Sequence, residues 1–80
     1  MAHVHFPDNC LPYTQGVRQV QLAVTNYREL LIALEEKYPG IYEKLERASV
    51  AIDGQIYQDA FLEPFAPASE IYFLPRIEGG

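Results

Sequence analysis

Val4 and Phe6 alternate with His3 and His5, and after a proline-containing passage at residues 7–16 the alternation returns as Val20, Leu22 and Val24 set against Gln19 and Gln21. A period of two marks a half-buried strand, so two strands joined by a loop or wide turn are expected to open the domain as an antiparallel hairpin. The period then changes. Tyr27, Leu30, Leu31, Leu34 and Tyr38 recur at helical spacing, with Arg28, Glu29, Glu35 and Glu36 on the other face. Asn26 can accept from the unpaired amides of the first turn, and Glu29 three residues later completes a capping-box spacing. Pro39-Gly40 ends the helix, and residues 41–47 add a short helical turn with Ile41 and Leu45 one turn apart. Val50 and Ile52 alternate again before Asp53-Gly54, a dipeptide suited to the positive φ angles of a type I′ hairpin turn, and residues 55–58 form the return strand. Phe61, Leu62 and Phe65, punctuated by Pro64 and Pro67, read as a compact hydrophobic loop, and residues 71–74 as the last strand. The order β, β, α, β, short β, loop, β predicts a two-layer α+β domain in which one main helix covers a mixed sheet.

The chain of 80 residues is 49% hydrophobic, enough apolar material for one compact core without metal or disulfide staples. A single domain is expected over residues 1–75, followed by a flexible tail at residues 76–80. The net charge is −5, and the cations Arg18, Arg28, Lys37, Lys44, Arg47 and Arg76 are scattered. An acidic surface without a basic stripe disfavours nucleic acid and anionic lipid; it suits a basic groove on a protein partner. Cys10 is the one cysteine, which excludes an internal disulfide. No apolar run is long enough to span a bilayer and no signal core is evident, so the expected location is the cytoplasm.

The sequence closes on Pro75-Arg76-Ile77-Glu78-Gly79-Gly80. Two residues without a Cβ, behind a strand and a proline, form an arm that can be threaded into a tight site. That layout is expected where the terminal carboxylate is itself the working group. The competing reading is a frayed tail.

Asn26-Tyr27-Arg28-Glu29-Leu30-Leu31 at the helix start, Tyr38-Pro39-Gly40 at its end, Val50-Ala51-Ile52-Asp53-Gly54 at the hairpin and Phe73-Leu74-Pro75 leading to Gly79-Gly80 together resemble the ubiquitin-like β-grasp sulfur carriers of the MoaD/ThiS family. The resemblance covers essentially the whole chain. It implies that an E1-like activating enzyme uses ATP and Mg²⁺ to adenylate the Gly80 carboxylate, and that sulfur from a persulfide donor or sulfurtransferase displaces AMP. The resulting thiocarboxylate would feed a sulfur-accepting synthase. On this view Gly79 and Gly80 are the chemical site, and Pro75, Arg76, Ile77 and Glu78 are read by partners. The chain is then a carrier, with no bound cofactor, and not itself an enzyme, although such a carrier can be the small subunit of a sulfur-transferring synthase such as molybdopterin synthase. Ala68-Ser69-Glu70 stands where many relatives carry Gly-Asp-Glu, so the turn there is expected to use another geometry. Arg76 and Glu78 put two opposite charges into an arm that is often neutral. Leu11-Pro12-Tyr13-Thr14-Gln15-Gly16 looks more like the branch serving cysteine synthesis or specialised biosyntheses than the molybdopterin branch, which stays open. The alternatives are a ubiquitin-like protein modifier and a non-catalytic interaction module.

His3 and His5, two apart on a strand, share a face, a spacing compatible with a metal ligand pair. Asp8 and Cys10 are the available third ligands, and the adopted reading is a solvated or partner-facing pair with no metal site. Cys10 has only Asp8 as a nearby charge and reads as an ordinary loop thiol. Tyr72 alternates with Ile71 and Phe73, so one set faces the helix and the other faces solvent or a partner.

Overall fold

The computed structural model describes residues 1–58 and 63–74. Five strands form one sheet: β1 (Ala2–His5), β2 (Gln19–Leu22), β3 (Ser49–Ile52), β4 (Gln55–Tyr57) and β5 (Glu70–Leu74). Their order is β2-β1-β5-β3-β4. β1 runs antiparallel to β2 and parallel to β5, while β3 is antiparallel to both β5 and β4. The expected mixed two-layer α+β architecture is therefore observed, with the opening hairpin, the main helix and the Asp53-Gly54 hairpin in their expected places. Asp53 and Gly54 take φ of 50° and 87°, both positive as a type I′ turn requires. Phe61 and Leu62 lie outside the described residues.

Residues 7–16 depart from expectation. Instead of a loop they form a 3-10 turn (Asp8–Cys10) and a short helix, α1 (Leu11–Thr14). Pro12 lies in the first turn of α1, where a missing N–H goes unused, and Gln15 stops the helix in the left-handed region at φ 57°. The turn carries Cys10 and Thr14 inward; both are buried, and the Thr14 hydroxyl donates to Val17 O at 2.7 Å.

The main helix, α2 (Tyr27–Lys37), starts where the sequence says it should: Glu29 N donates to Asn26 Oδ1 at 2.8 Å. The Glu29 carboxylate reaches back to Thr25, accepting from its backbone N at 2.8 Å and its hydroxyl at 2.7 Å, one residue earlier than in the usual reciprocal box. Tyr27, Leu30, Leu31 and Leu34 share one buried core with Val4, Val50, Ile52, Ile71 and Phe73 of the sheet and with Phe6 just after β1. This answers the open question of parity: Ile71 and Phe73 face the helix and Tyr72 points away.

Glu35, expected on the solvent face, folds over instead. Its carboxylate accepts from Gly40 N at 2.8 Å and Tyr42 N at 3.0 Å, which caps the next helix, α3 (Tyr42–Leu45). Those bonds, the Gly40 amide first, hold the Glu35 carboxyl below its ordinary range. Gly40 makes the sharp reversal with φ 95°, and a Cβ there would stand 3.2 Å from the Tyr13 ring. Ile41, just before α3, and Leu45 at its end are both buried in the core.

Leu34 is fully buried while Ile32, two residues away, is 52% exposed. Leu34→Ala is expected to lower unfolding stability by about 2–5 kcal/mol through lost transfer energy and a residual cavity, and Ile32→Ala by less than about 0.5 kcal/mol. Urea denaturation of both variants checks the helix register; similar losses for the two would overturn it.

Candidate functional site

β5 is enclosed by β1 on one edge and β3 on the other, and its start is clamped by the neighbouring hairpin. The left-handed Asp53 aims its carboxylate across the sheet, where Glu70 N donates to Oδ1 and the Ser69 hydroxyl donates to Oδ2, each at 2.8 Å. The Ser69 oxygen also accepts from Ala66 N at 2.8 Å. This is the turn geometry that Ala68-Ser69-Glu70 adopts. His3 N donates to Ser69 O and Asp53 N to Glu70 O, both at 2.9 Å, which ties the same point to both flanking strands. The Glu70 amide, then the Ser69 hydroxyl, hold the Asp53 carboxyl below its ordinary range.

From this clamp β5 runs to Leu74, which pairs with Ser49 at the start of β3. The expected chemical residues Gly79 and Gly80, with Pro75, Arg76, Ile77 and Glu78, lie beyond it, outside the described residues. The structure therefore gives the strand that launches the tail and the point on the sheet from which the chain continues.

The sheet face away from the helices gathers a second set of groups. Parallel pairing sets His3 opposite Glu70 and His5 opposite Tyr72. Glu70 Oε1 lies 3.3 Å from His3 Nδ1, and Oε2 lies 2.8 Å from His5 Nε2. The Tyr72 ring stacks on His5 with centroids 4.0 Å apart and planes inclined by 3°. On the other side, His3 Nε2 meets Gln19 Oε1 from β2. Contact with His5, reinforced by His3, keeps the Glu70 carboxyl below its usual range. Tyr72 and Ile56 are exposed on this face, opposite the buried Ile71 and Phe73.

The two histidines thus share a face as expected, but neither expected third ligand joins them. Asp8 pairs with Arg18 Nη1 at 3.2 Å, and Cys10 is buried in the core. Burial raises the Cys10 thiol pKa, against a smaller opposing effect from Lys44, which fits an unreactive thiol. Glu70 takes the position instead. The parallel β1–β5 pairing that brings it to the histidines joins positions 67 residues apart and has no local signal. Among the described residues no helix is long and apolar enough to cross a membrane.

Two solved structures superimpose on the chain throughout. Mycobacterium tuberculosis CysO, described as an antigen, does so with a TM-score of 0.85 at 18% identity, covering 96% of this chain and 100% of that one. A chain from the Amycolatopsis orientalis BexX/CysO complex does so with a TM-score of 0.86 at 17% identity, covering 100% of both. The chain has the β-grasp fold. No family model and no curated protein sequence matches it, so the likeness lies in the β-grasp architecture.

The clamp yields a test. Because the folded pKa of Asp53 is depressed, its contribution to stability is present above the unfolded value of about 3.9 and disappears as pH falls through the lower folded value. Asp53→Asn keeps a residue that tolerates positive φ while removing the charge. It should be less stable than the parent near neutral pH and show a shallower loss of stability on acidification, read from urea midpoints across the acid range. Ser69→Ala leaves the Ala66 amide without its acceptor and should cost about 1–3 kcal/mol. Parallel acid profiles for Asp53→Asn and parent would refute the clamp.

Proposed function

We propose that this β-grasp protein is a sulfur carrier, with the Gly80 carboxylate as its reactive group. The observation that carries the reading is the placement of β5: the strand before Pro75-Arg76-Ile77-Glu78-Gly79-Gly80 is interior to the sheet and anchored at its start. A tail leaving from it is held by a rigid body at one end and can enter a partner's pocket at the other. The whole-chain likeness to CysO structures, together with the sequence resemblance to the MoaD/ThiS carriers, supports the same conclusion. That one of those structures is a BexX/CysO complex supports a protein that works by docking with others.

The chemistry requires activation because a carboxylate is a poor electrophile. An E1-like enzyme with ATP and Mg²⁺ would form the acyl adenylate on Gly80 and release pyrophosphate. A persulfide sulfur would then attack the acyl carbon and expel AMP, giving an acyl disulfide. Reduction by a thiol would split the S–S bond and leave the thiocarboxylate on the carrier. The absence of side chains at Gly79 and Gly80 permits the close approach that attack in an enclosed pocket demands. ATP and Mg²⁺ belong to the activating enzyme. Sulfur would pass to an accepting synthase in a cysteine-type or specialised pathway, with the molybdopterin cofactor as the other destination, and the setting would be the cytoplasm.

Intact mass spectrometry after incubation with ATP, Mg²⁺, an activating enzyme and a persulfide source tests the reading. The expected result is exchange of one oxygen for sulfur in the full chain and none in a variant lacking Gly79 and Gly80. An unchanged mass with several activating enzymes would refute the carrier role. Covalent attachment to a second protein, again dependent on the two glycines, would establish a protein modifier instead.

A further inference from the structure

We propose that His3, His5 and Glu70 form a binding site for a divalent transition-metal cation of the zinc class, on the sheet face turned away from the helices. The inference rests on the described strands and is independent of the reading of the tail. Their ligand atoms all lie within 4.8 Å of one another. Bonds of about 2.1 Å to a tetrahedral cation would set ligand atoms about 3.4 Å apart. The His3 Nδ1 to Glu70 Oε1 separation is already 3.3 Å, and modest side-chain rotation brings the rest into range.

The backbone fixes these positions in advance. His3 and His5 project from alternate residues of β1, and Glu70 sits opposite His3 on β5, whose start is held by Asp53. Neighbours orient the rings. Gln19 Oε1 contacts His3 Nε2, which turns the opposite ring nitrogen, Nδ1, toward the Glu70 carboxylate. Tyr72, stacked on His5, restrains the second ring in the same way. A ligand ring held by an outer hydrogen bond or packing partner is a usual feature of metal sites.

Two imidazoles and a carboxylate suit zinc and its first-row neighbours better than the all-oxygen preferences of calcium or magnesium. The formal charge of −5 favours cation uptake over the whole surface. Three ligands leave a fourth tetrahedral position open. Because all three side chains are partly exposed, that position faces outward, where water or a ligating side chain of a docked protein can complete it.

Titration of the untagged chain with Zn²⁺ near neutral pH, followed by calorimetry and by the ring resonances of His3 and His5, tests the site. Expected are one saturable equivalent, shifts of both histidines, and an affinity at least about tenfold weaker in Glu70→Gln and in His5→Ala. Glu43→Gln, an exposed change on α3, and removal of Gly79 and Gly80 should leave binding unchanged. The amide spectrum of each variant confirms its fold. No saturable binding, binding that leaves both histidine resonances unmoved, or affinity insensitive to Glu70→Gln would each overturn the proposal.

Discussion

The register of β5 governs the rest of the molecule. Side chains alternate along a strand, so a slip of one residue would carry Ile71 and Phe73 from the core to solvent and bring Tyr72 and Glu70 inward. The register is specified twice. Burial of Ile71 and Phe73 beneath α2 supplies the larger driving force, roughly 1.5–3 kcal/mol for each fully buried side chain. The Asp53 carboxylate supplies the direction, because it accepts only from the amide of Glu70 and the hydroxyl of Ser69 that the correct register presents. Asp53 can do so because a two-residue turn with positive φ holds it at the end of the hairpin. A local feature of the sequence thereby positions a strand that arrives much later in the chain.

The same economy appears on the helical side. α2 covers the core with Tyr27, Leu30, Leu31 and Leu34, and short pieces supply further buried residues. The 3-10 turn and α1 add Cys10 and Thr14, and the start and end of α3 add its N-cap Ile41 and Leu45. Each short piece is too small to be stable alone, so each is fixed by contacts outside itself. Thr14 bonds the carbonyl beyond its helix, and Glu35 reaches from α2 to cap α3. Gly40, packed against Tyr13, joins these two regions.

Much of this was legible where the signal is local. Asn26 with Glu29 fixed the helix start, the Tyr27-to-Leu34 stripe fixed its buried face, and Asp53-Gly54 fixed the hairpin. Three features were hidden for different physical reasons. α1 spans barely one turn, so it has no periodicity to detect, although Pro12 followed by Gly16 marks its two ends. Glu35 belongs by helical angle to the solvent side, and only the reversal at Gly40 brings amides within its reach. Glu70 joins the histidines through parallel pairing of the first and last strands, a contact that alternation along either strand does not encode. The candidate site at Gly79 and Gly80 was read entirely from residue type and order, since those residues lie outside the described ones.

The two proposals meet at one strand, β5, which carries Glu70 at its start and leads toward the tail from its end. Glu70 opens β5 and Leu74 closes it, a separation of about 13 Å at roughly 3.3 Å per residue. Tyr72 lies between them on the same face as Glu70, stacked on His5 and presenting an exposed edge. A protein that docks across this face to receive the tail would meet Tyr72 and the His3–His5–Glu70 group within the same footprint, which is small against the roughly 800 Å² that one partner buries in a standard interface. A cation held there would alter the charge of that footprint and offer one ligand position to the docked surface. Metal occupancy and tail recognition would then be linked through shared surface, without requiring any change in the fold: a partner carrying a fourth ligand would favour the loaded carrier, and one presenting a cationic side chain to Glu70 would favour the metal-free form.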